Sequence, residues 1–261
     1  MNPYLKHRLK AVINSVGLYP RAQPQRRTLG QFSRYLAKRN FRPGTVIDVG
    51  VADGTLELYG PFPDAELLLV EPMARFKPAI EAILKRRRGH HFLGAAAEQA
   101  GEMMLYAAPG SAAAHNAALA PKGSDWKGES LPVERVDRLV ETFGLKPPYF
   151  LKVDVEGFEL DVVAGCTGIL EQTPVVVLEA GFTPSNERRP FVEVVTRMSD
   201  LGYVVFDLFD GICRPYDQAL SISDVAFVRA DGEFRQSMRW HAETPTLVNR
   251  TLGALREKLG A

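Results

Sequence analysis

The chain has 261 residues, of which 46% are hydrophobic and 24% charged, and its formal net charge is +1. That balance is ordinary for a soluble globular protein and excludes any overall pull toward nucleic acid, an anionic membrane or acidic substrates. Two cysteines, Cys166 and Cys213, make no disulfide framework and suit a cytoplasmic setting, and no apolar run approaches the ~20 residues needed to span a bilayer.

In chain order, Leu5, Leu9, Val12, Ile13 and Val16 recur at helical spacing, predicting a basic amphipathic helix over residues 3–16. Its interleaved charges are unlike those of a secretory signal. Two prolines in "GLYPRAQPQRR" separate it from a second helix over 28–40, which "FRPG" ends. Residues 1–40 are thus read as a helical extension and 41–261 as one domain. From there apolar runs alternate with helix-like segments, the pattern of βαβ units in a mainly parallel sheet. The runs are "TVIDVG" (45–50), "ELLLVEP" (66–72), "HFLGAAA" (91–97), "YFLKVDV" (149–155) and "PVVVLEA" (174–180). Between the third and fourth, edge strands and a long small-residue loop are expected. "GYVVFDLFDG" and "SDVAFVRADG" predict a final antiparallel pair, and "TPTLVNRTLGALREKL" a terminal helix. The basic run "KRRRGHH" (85–91) falls where a helix should end, and cations favour that end.

The stretch "TVIDVGVADGTLELYG" reads as a strand, a glycine-bearing loop and a helix. Loops of that shape hold several unlike ligands. A phosphate-binding P-loop requires Lys and then Ser or Thr after its last glycine, but Gly54 is followed by Thr55 and Leu56. A dinucleotide fingerprint requires three glycines, and here Ala52 and Asp53 occupy the middle, the second bringing a carboxylate that repels pyrophosphate. A ligand with a cationic end suits the loop better: Asp48 and Asp53 can face an ammonium or sulfonium while Gly50 and Gly54 let the backbone close over it. Glu71, 23 residues after Asp48, ends the next strand, where a carboxylate accepts both hydroxyls of a ribose. An adenosyl ligand with a cationic tail is S-adenosylmethionine. The competing reading is a turn with a solvated glutamate.

A second constellation follows in "YFLKVDVEGFELDVVAGC". Asp154 and Glu156 end another apolar strand, and ligands of open parallel sheets bind beyond the carboxyl ends of the strands. With the chain extended, both carboxylates would share one face and join Asp48 and Glu71. Capping of the following helix is the alternative.

At this point the sequence resembles the FkbM-type methyltransferases, through "VIDVGVADGT", "LLVEPM", "VERVDRL" and above all "LKVDVEGFELDVVAGC". "VVFDLFDGICRPYDQALSISDVAFVR" is similar to the ending of bacterial members, and the resemblance runs from about residue 28 to 230. It implies a Rossmann-like methyltransferase fold, mostly parallel with a C-terminal antiparallel hairpin, and S-adenosylmethionine as cofactor. It further implies that Asp48, Gly50, Val51, Ala52, Asp53, Gly54 and Thr55 line the methionine tail. Glu71 with Pro72 would take the ribose, and Ala96 would border the cofactor. Asp154 and Glu156 would border the transferring methyl, Asp154 touching the cofactor as well. The family usually carries Asn where this chain has Asp53, which puts a charge in place of an amide.

Methyl transfer from a sulfonium needs in-line alignment and a nucleophile able to lose a proton. For a hydroxyl of a sugar, glycan or natural-product small molecule, a base is useful; Asp154, Glu156 and His115, the last in the loop "PGSAAAHNAAL", are the candidates. Clustering with Asp48 and Glu71 should raise the proton affinity of such a carboxylate. Mg²⁺ on Asp154 and Glu156 is chemically conceivable, but no His or Asp cluster supports it, so no metal site is assigned. The basic N-terminal helix is read as packing on the domain or on a second subunit, which leaves a homo-oligomer open. Trp126, Arg214 and Tyr216 offer stacking and hydrogen bonds to a sugar-like acceptor. An NAD-dependent oxidoreductase and a non-catalytic glycan- or nucleic-acid-binding module are the alternatives. The missing third glycine counts against the first and the retained acids against the second. No nucleic-acid partner is expected.

Overall fold

The computed structural model describes residues 27–107, 127–183 and 189–237. The helices expected over 3–16 and 244–259 lie outside these residues, as do His115 and Trp126. In chain order the first elements are α1 (Leu29–Lys38), β1 (Thr45–Val49), α2 (Leu56–Tyr59), β2 (Glu66–Val70), α3 (Lys77–Leu84) and β3 (Gly89–Phe92). β4 (Ala95–Ala96), β5 (Gly101–Ala107), β6 (Lys127–Glu134), α4 (Val136–Phe143) and β7 (Tyr149–Val153) follow. α5 (Glu159–Ala164), β8 (Val175–Gly181), α6 (Phe191–Asp200), β9 (Tyr203–Cys213) and β10 (Leu220–Arg229) complete the series.

Seven strands form the main sheet in the order β3-β2-β1-β7-β8-β10-β9. The first five are parallel, and β10 is antiparallel to both β8 and β9. This is the Rossmann-like α/β arrangement expected from the sequence, with its antiparallel hairpin at the end. Strand order reverses between β1 and β7, so the crevice beyond their carboxyl ends is the place where such folds bind ligands.

The strands read as continuous apolar runs because helices cover both faces. Ile47, Leu68, Leu151, Val176 and Phe227 face one core cluster with Val140 of α4, Val162 of α5 and Met198 of α6. Val46, Leu67, Phe150, Val177 and Ala226 face the other, with Phe32 of α1, Leu58 of α2 and Ile80 of α3. α1 begins at Thr28, whose hydroxyl accepts from the Gln31 N–H at 3.2 Å, as N-caps do. Its Phe32 is fully buried and stacks on Phe209 with ring centroids 5.1 Å apart, a burial that stabilises by about 2–3 kcal/mol. Although α1 falls in the stretch read as an extension, it belongs to this covering layer. In the basic run, Arg87 turns inward and donates to the carbonyls of Tyr59, Phe62 and Ala65 at 2.9, 2.7 and 3.2 Å. It fastens the loop after α2 and does not cap its own helix.

Two expected strands end early. The run 91–97 splits: β3 stops at Phe92, and β4 leaves for a small sheet of order β4-β6-β5. Gly94 makes the departure, because a Cβ there would lie 2.5 Å from both the Phe92 ring and the Pro132 carbonyl. The run 149–155 stops at Val153. Glu156 and Gly157 then turn with φ of 53° and 96°, so the chain is not extended between Asp154 and Glu156. The cause is Glu159, whose Oε1 accepts the N–H groups of Gly157 at 2.9 Å and Val155 at 3.4 Å and draws the turn around itself.

Candidate active site

The loop from β1 to α2 crosses the carboxyl edge of the sheet at the switch point. Gly50 has φ +83°, and a Cβ on it would lie 1.8 Å from the Asp154 carbonyl oxygen, so only glycine lets β1 and β7 stay together here. Ala52 has φ 46°, a left-handed conformation that costs about 1 kcal/mol. Its N–H is held by Glu71 Oε2 at 2.9 Å, and Glu71 Oε1 takes the Met73 N–H at the same distance. Burial raises the Glu71 pKa, the two N–H donors oppose that, and the net shift is upward. Val51 is buried, Gly54, Thr55 and Pro72 are half-buried, and Asp53 stands exposed at the lip of the loop.

Asp48 does not open onto this loop. It is fully buried in β1, paired in register with Lys152 of β7. The Lys152 ammonium lies 3.3 Å from Asp48 Oδ1, 3.3 Å from Asp154 Oδ2 and 3.3 Å from the Gly50 carbonyl. Burial pulls the Lys152 pKa down, but the Asp48, Asp154 and Asp224 carboxylates push it further up, and the net shift is upward. Tyr59 donates its hydroxyl proton to Asp48 Oδ2 and accepts the Thr55 N–H at 3.2 Å. Burial first, and then the Asp48 charge, hold the Tyr59 hydroxyl well above its ordinary pKa, so it stays a donor. The expectation that Asp48 faces a cationic ligand is therefore replaced: it faces Lys152 and Tyr59 and supports the loop from beneath.

One residue past the paired positions Val70, Val49, Val153 and Leu178, the strands present Glu71, Gly50, Asp154 and Glu179 in one row. Asp224 of β10, in register with Glu179, extends it. Row members share a face because side chains alternate along each strand. Asp224 is half-buried. Burial, then the charge of Asp154, push its pKa to about 7 against the pull of Lys152. Glu159 is buried and reaches about 7 too, chiefly by burial, with Glu179 adding to it and the turn's N–H donors opposing. Burial and like charge thus raise these two carboxyls around a central lysine, and neither is one of the carboxylates singled out in the sequence as a base.

Of the residues singled out in the sequence, the fold gathers Asp48, the 50–55 loop, Glu71, Pro72 and Asp154 at the switch point. Glu156 is half-buried in the turn after β7. Ala96 is buried in β4, paired with Glu134, off the main sheet. Arg214 and Tyr216 sit at the tip of the β9–β10 hairpin, which overshoots the carboxylate row; Arg214 is paired with Asp217 and Tyr216 is 93% exposed. Among the described residues no group of three or more His, Cys, Asp or Glu is placed to hold a metal. The sequence reading passed over Lys152, Tyr59, Glu179 and Asp224. A lysine inside the all-apolar run "YFLKV" was a usable signal, since a buried ammonium demands carboxylates. Nothing local marked Asp224.

A Rossmann-like sheet with a glycine-bearing switch-point loop and an acidic edge defines the class. The profile described as "Methyltransferase FkbM domain" matches residues 48–205. The chain belongs to the FkbM methyltransferase domain family. None of the curated proteins compared matches it. Among solved structures it is similar to a magnesium protoporphyrin IX methyltransferase from Synechocystis PCC 6803 with bound S-adenosylmethionine. That likeness has 12% identity, 86% of this chain and 96% of the other covered, and a TM-score of 0.43. It is also similar to an rRNA methylase from Streptococcus thermophilus (10% identity, 79% and 99% covered, TM-score 0.42). A third likeness is to a precorrin-6y C5,15-methyltransferase from Geobacter metallireducens GS-15 (14% identity, 80% and 93% covered, TM-score 0.39).

Proposed function

We propose that this methyltransferase uses S-adenosylmethionine to methylate a hydroxyl of a sugar, glycan or natural-product small molecule. The observation that carries the reading is the Glu71 carboxylate, held by the Ala52 and Met73 N–H groups at the end of β2. A carboxylate has about four acceptor positions, so two remain for the vicinal hydroxyls of a ribose. The donor set fits the rest of that cofactor. Asp53, exposed at the lip, suits the ammonium of the methionine end, while the loop offers no lysine or arginine for a phosphate.

In this reading Gly50, Val51, Ala52, Gly54 and Thr55 shape the cradle, Pro72 and Ala96 border the adenosyl end, and Glu71 orients the ribose. Asp48 acts through Lys152 and Tyr59. When bound, the sulfonium supplies an electrophilic methyl group. Asp154 and Glu156 border the place where the acceptor would meet it, and orientation alone contributes several kcal/mol to such a step.

Calorimetry with S-adenosylhomocysteine tests the reading. Binding is expected in the unmodified protein and lost in Glu71→Ala; a protein that ignores this ligand and binds NAD tightly would be an oxidoreductase instead.

A further inference from the structure

The carboxylate row continues past the half that the cofactor reading uses. Glu71, Gly50 and Asp154 account for β2, β1 and β7, whereas Glu179 and Asp224 stand on β8 and β10. Asp154 and Asp224 are two strand spacings apart, about 10 Å at the backbone. Their roles differ by what they touch. Asp154 is committed to the buried Lys152 ammonium at 3.3 Å. The Asp224 carboxylate accepts no hydrogen bond among the described residues; burial acts on it first, and then the charges of Asp154, Lys152, Asp210 and Glu179.

A second observation comes from the other side of the row. Glu159 is 1% exposed, its Oε1 closes the turn after β7, and its Oε2 has no hydrogen-bond partner among the described residues. The carboxylate whose charge acts on it is Glu179. A dry carboxyl oxygen with no donor is costly, and the same burial, with the Glu179 charge adding to it, raises the Glu159 pKa to about 7.

Resting on the proposed cofactor, we infer that Asp224 is a catalytic residue, the general base that takes the proton of the acceptor. The acceptor oxygen attacks the methyl carbon, the new C–O bond forms as the C–S bond breaks, and its electron pair returns to sulfur to leave a neutral thioether. The O–H proton passes to the Asp224 carboxylate. A base works best when its proton affinity lies near the working pH, and burial beside Asp154 brings Asp224 to about 7. Lys152, 3.3 Å away, holds the Asp154 side chain in place.

Sinefungin tests this without knowledge of the acceptor, because it carries an ammonium where the cofactor carries its methyl. At pH 8 the protein should bind sinefungin about tenfold more tightly than S-adenosylhomocysteine, the worth of a charged hydrogen bond. Asp224→Asn should abolish the preference and leave S-adenosylhomocysteine affinity unchanged, which also shows that the variant is folded. In the unmodified protein the preference should fall as pH drops through about 7, where Asp224 takes up a proton. The groups facing it are Lys152 and Asp154 from β7, Glu179 from β8 and Asp210 from β9, and the fall should be absent in Asp224→Asn. Binding of both ligands without preference overturns the assignment, as does a preference that survives in Asp224→Asn but not in Asp154→Asn. Failure to bind S-adenosylhomocysteine at all overturns the cofactor reading, and this inference with it.

Discussion

Lys152 and Asp48 face each other across β7 and β1 inside the central sheet, 3.3 Å apart, with side chains 6% and 0% exposed. A buried ion pair is weak as a source of stability, but removing one partner leaves a stranded charge. This pair sits under the ligand loop, and its lysine also reaches the Gly50 carbonyl and Asp154. It therefore binds together the two strands between which the crevice opens.

Lys152→Met strands Asp48 and Asp154 without their cation. It should destabilise the protein by about 3–5 kcal/mol in urea unfolding. Combining it with Asp48→Asn should recover part of that loss, because the buried charge goes too. Additive effects in the double variant would refute the coupling.

Tyr59→Phe takes the donor from Asp48 Oδ2 and the acceptor from the Thr55 N–H. A cost of about 1–3 kcal/mol is expected, with weaker S-adenosylhomocysteine binding because Thr55 loses its tether. Thermal unfolding and calorimetry on the same variant would measure both.

Two glycines separate steric need from backbone preference. Gly50→Ala places a Cβ 1.8 Å from the Asp154 carbonyl oxygen and should abolish ligand binding and the native fold at the switch point. Gly144→Ala, at the C-cap of α4 with φ +66° and nothing within 4 Å, should cost only about 1–2 kcal/mol, the penalty of left-handed backbone. Comparable losses in the two would show that contact is not the cause at Gly50.

Glu159 has a folded pKa raised from 4.5 to about 7, mainly by burial. The folded state holds this proton more tightly than the unfolded chain, so the contribution is fully present below pH 4.5 and is lost as pH rises through about 7. Glu159→Gln keeps an oxygen for the Gly157 and Val155 N–H groups without ionising. Relative to the variant, the unmodified protein should lose about 2–3 kcal/mol between pH 4.5 and pH 8; parallel stability curves would refute this.

The strands were legible because both faces of the sheet are covered, which writes each one as a short apolar run. "TVIDVG" and "PVVVLEA" needed no partner to be recognised. "HFLGAAA" misled because its apolar character continues through Gly94, while the break depends on Phe92 and Pro132, and Pro132 is distant in sequence. "YFLKVDV" misled because a side chain six residues past Val153, that of Glu159, takes the N–H groups that would have carried the strand onward.

By itself the sequence determined the α/β alternation, the glycine-bearing loop after β1 and the acids ending successive strands, since these are local matters of periodicity and residue type. Which acids meet a ligand and which serve the frame was decided only by tertiary structure. Asp48 looked like a ligand contact until register set it against Lys152. Asp224 looked like nothing until antiparallel pairing brought β10 beside β8 and set it in register with Glu179. The physical reason is that a carboxylate's role follows from its burial and from the charges around it, and those come from strands far apart in the chain.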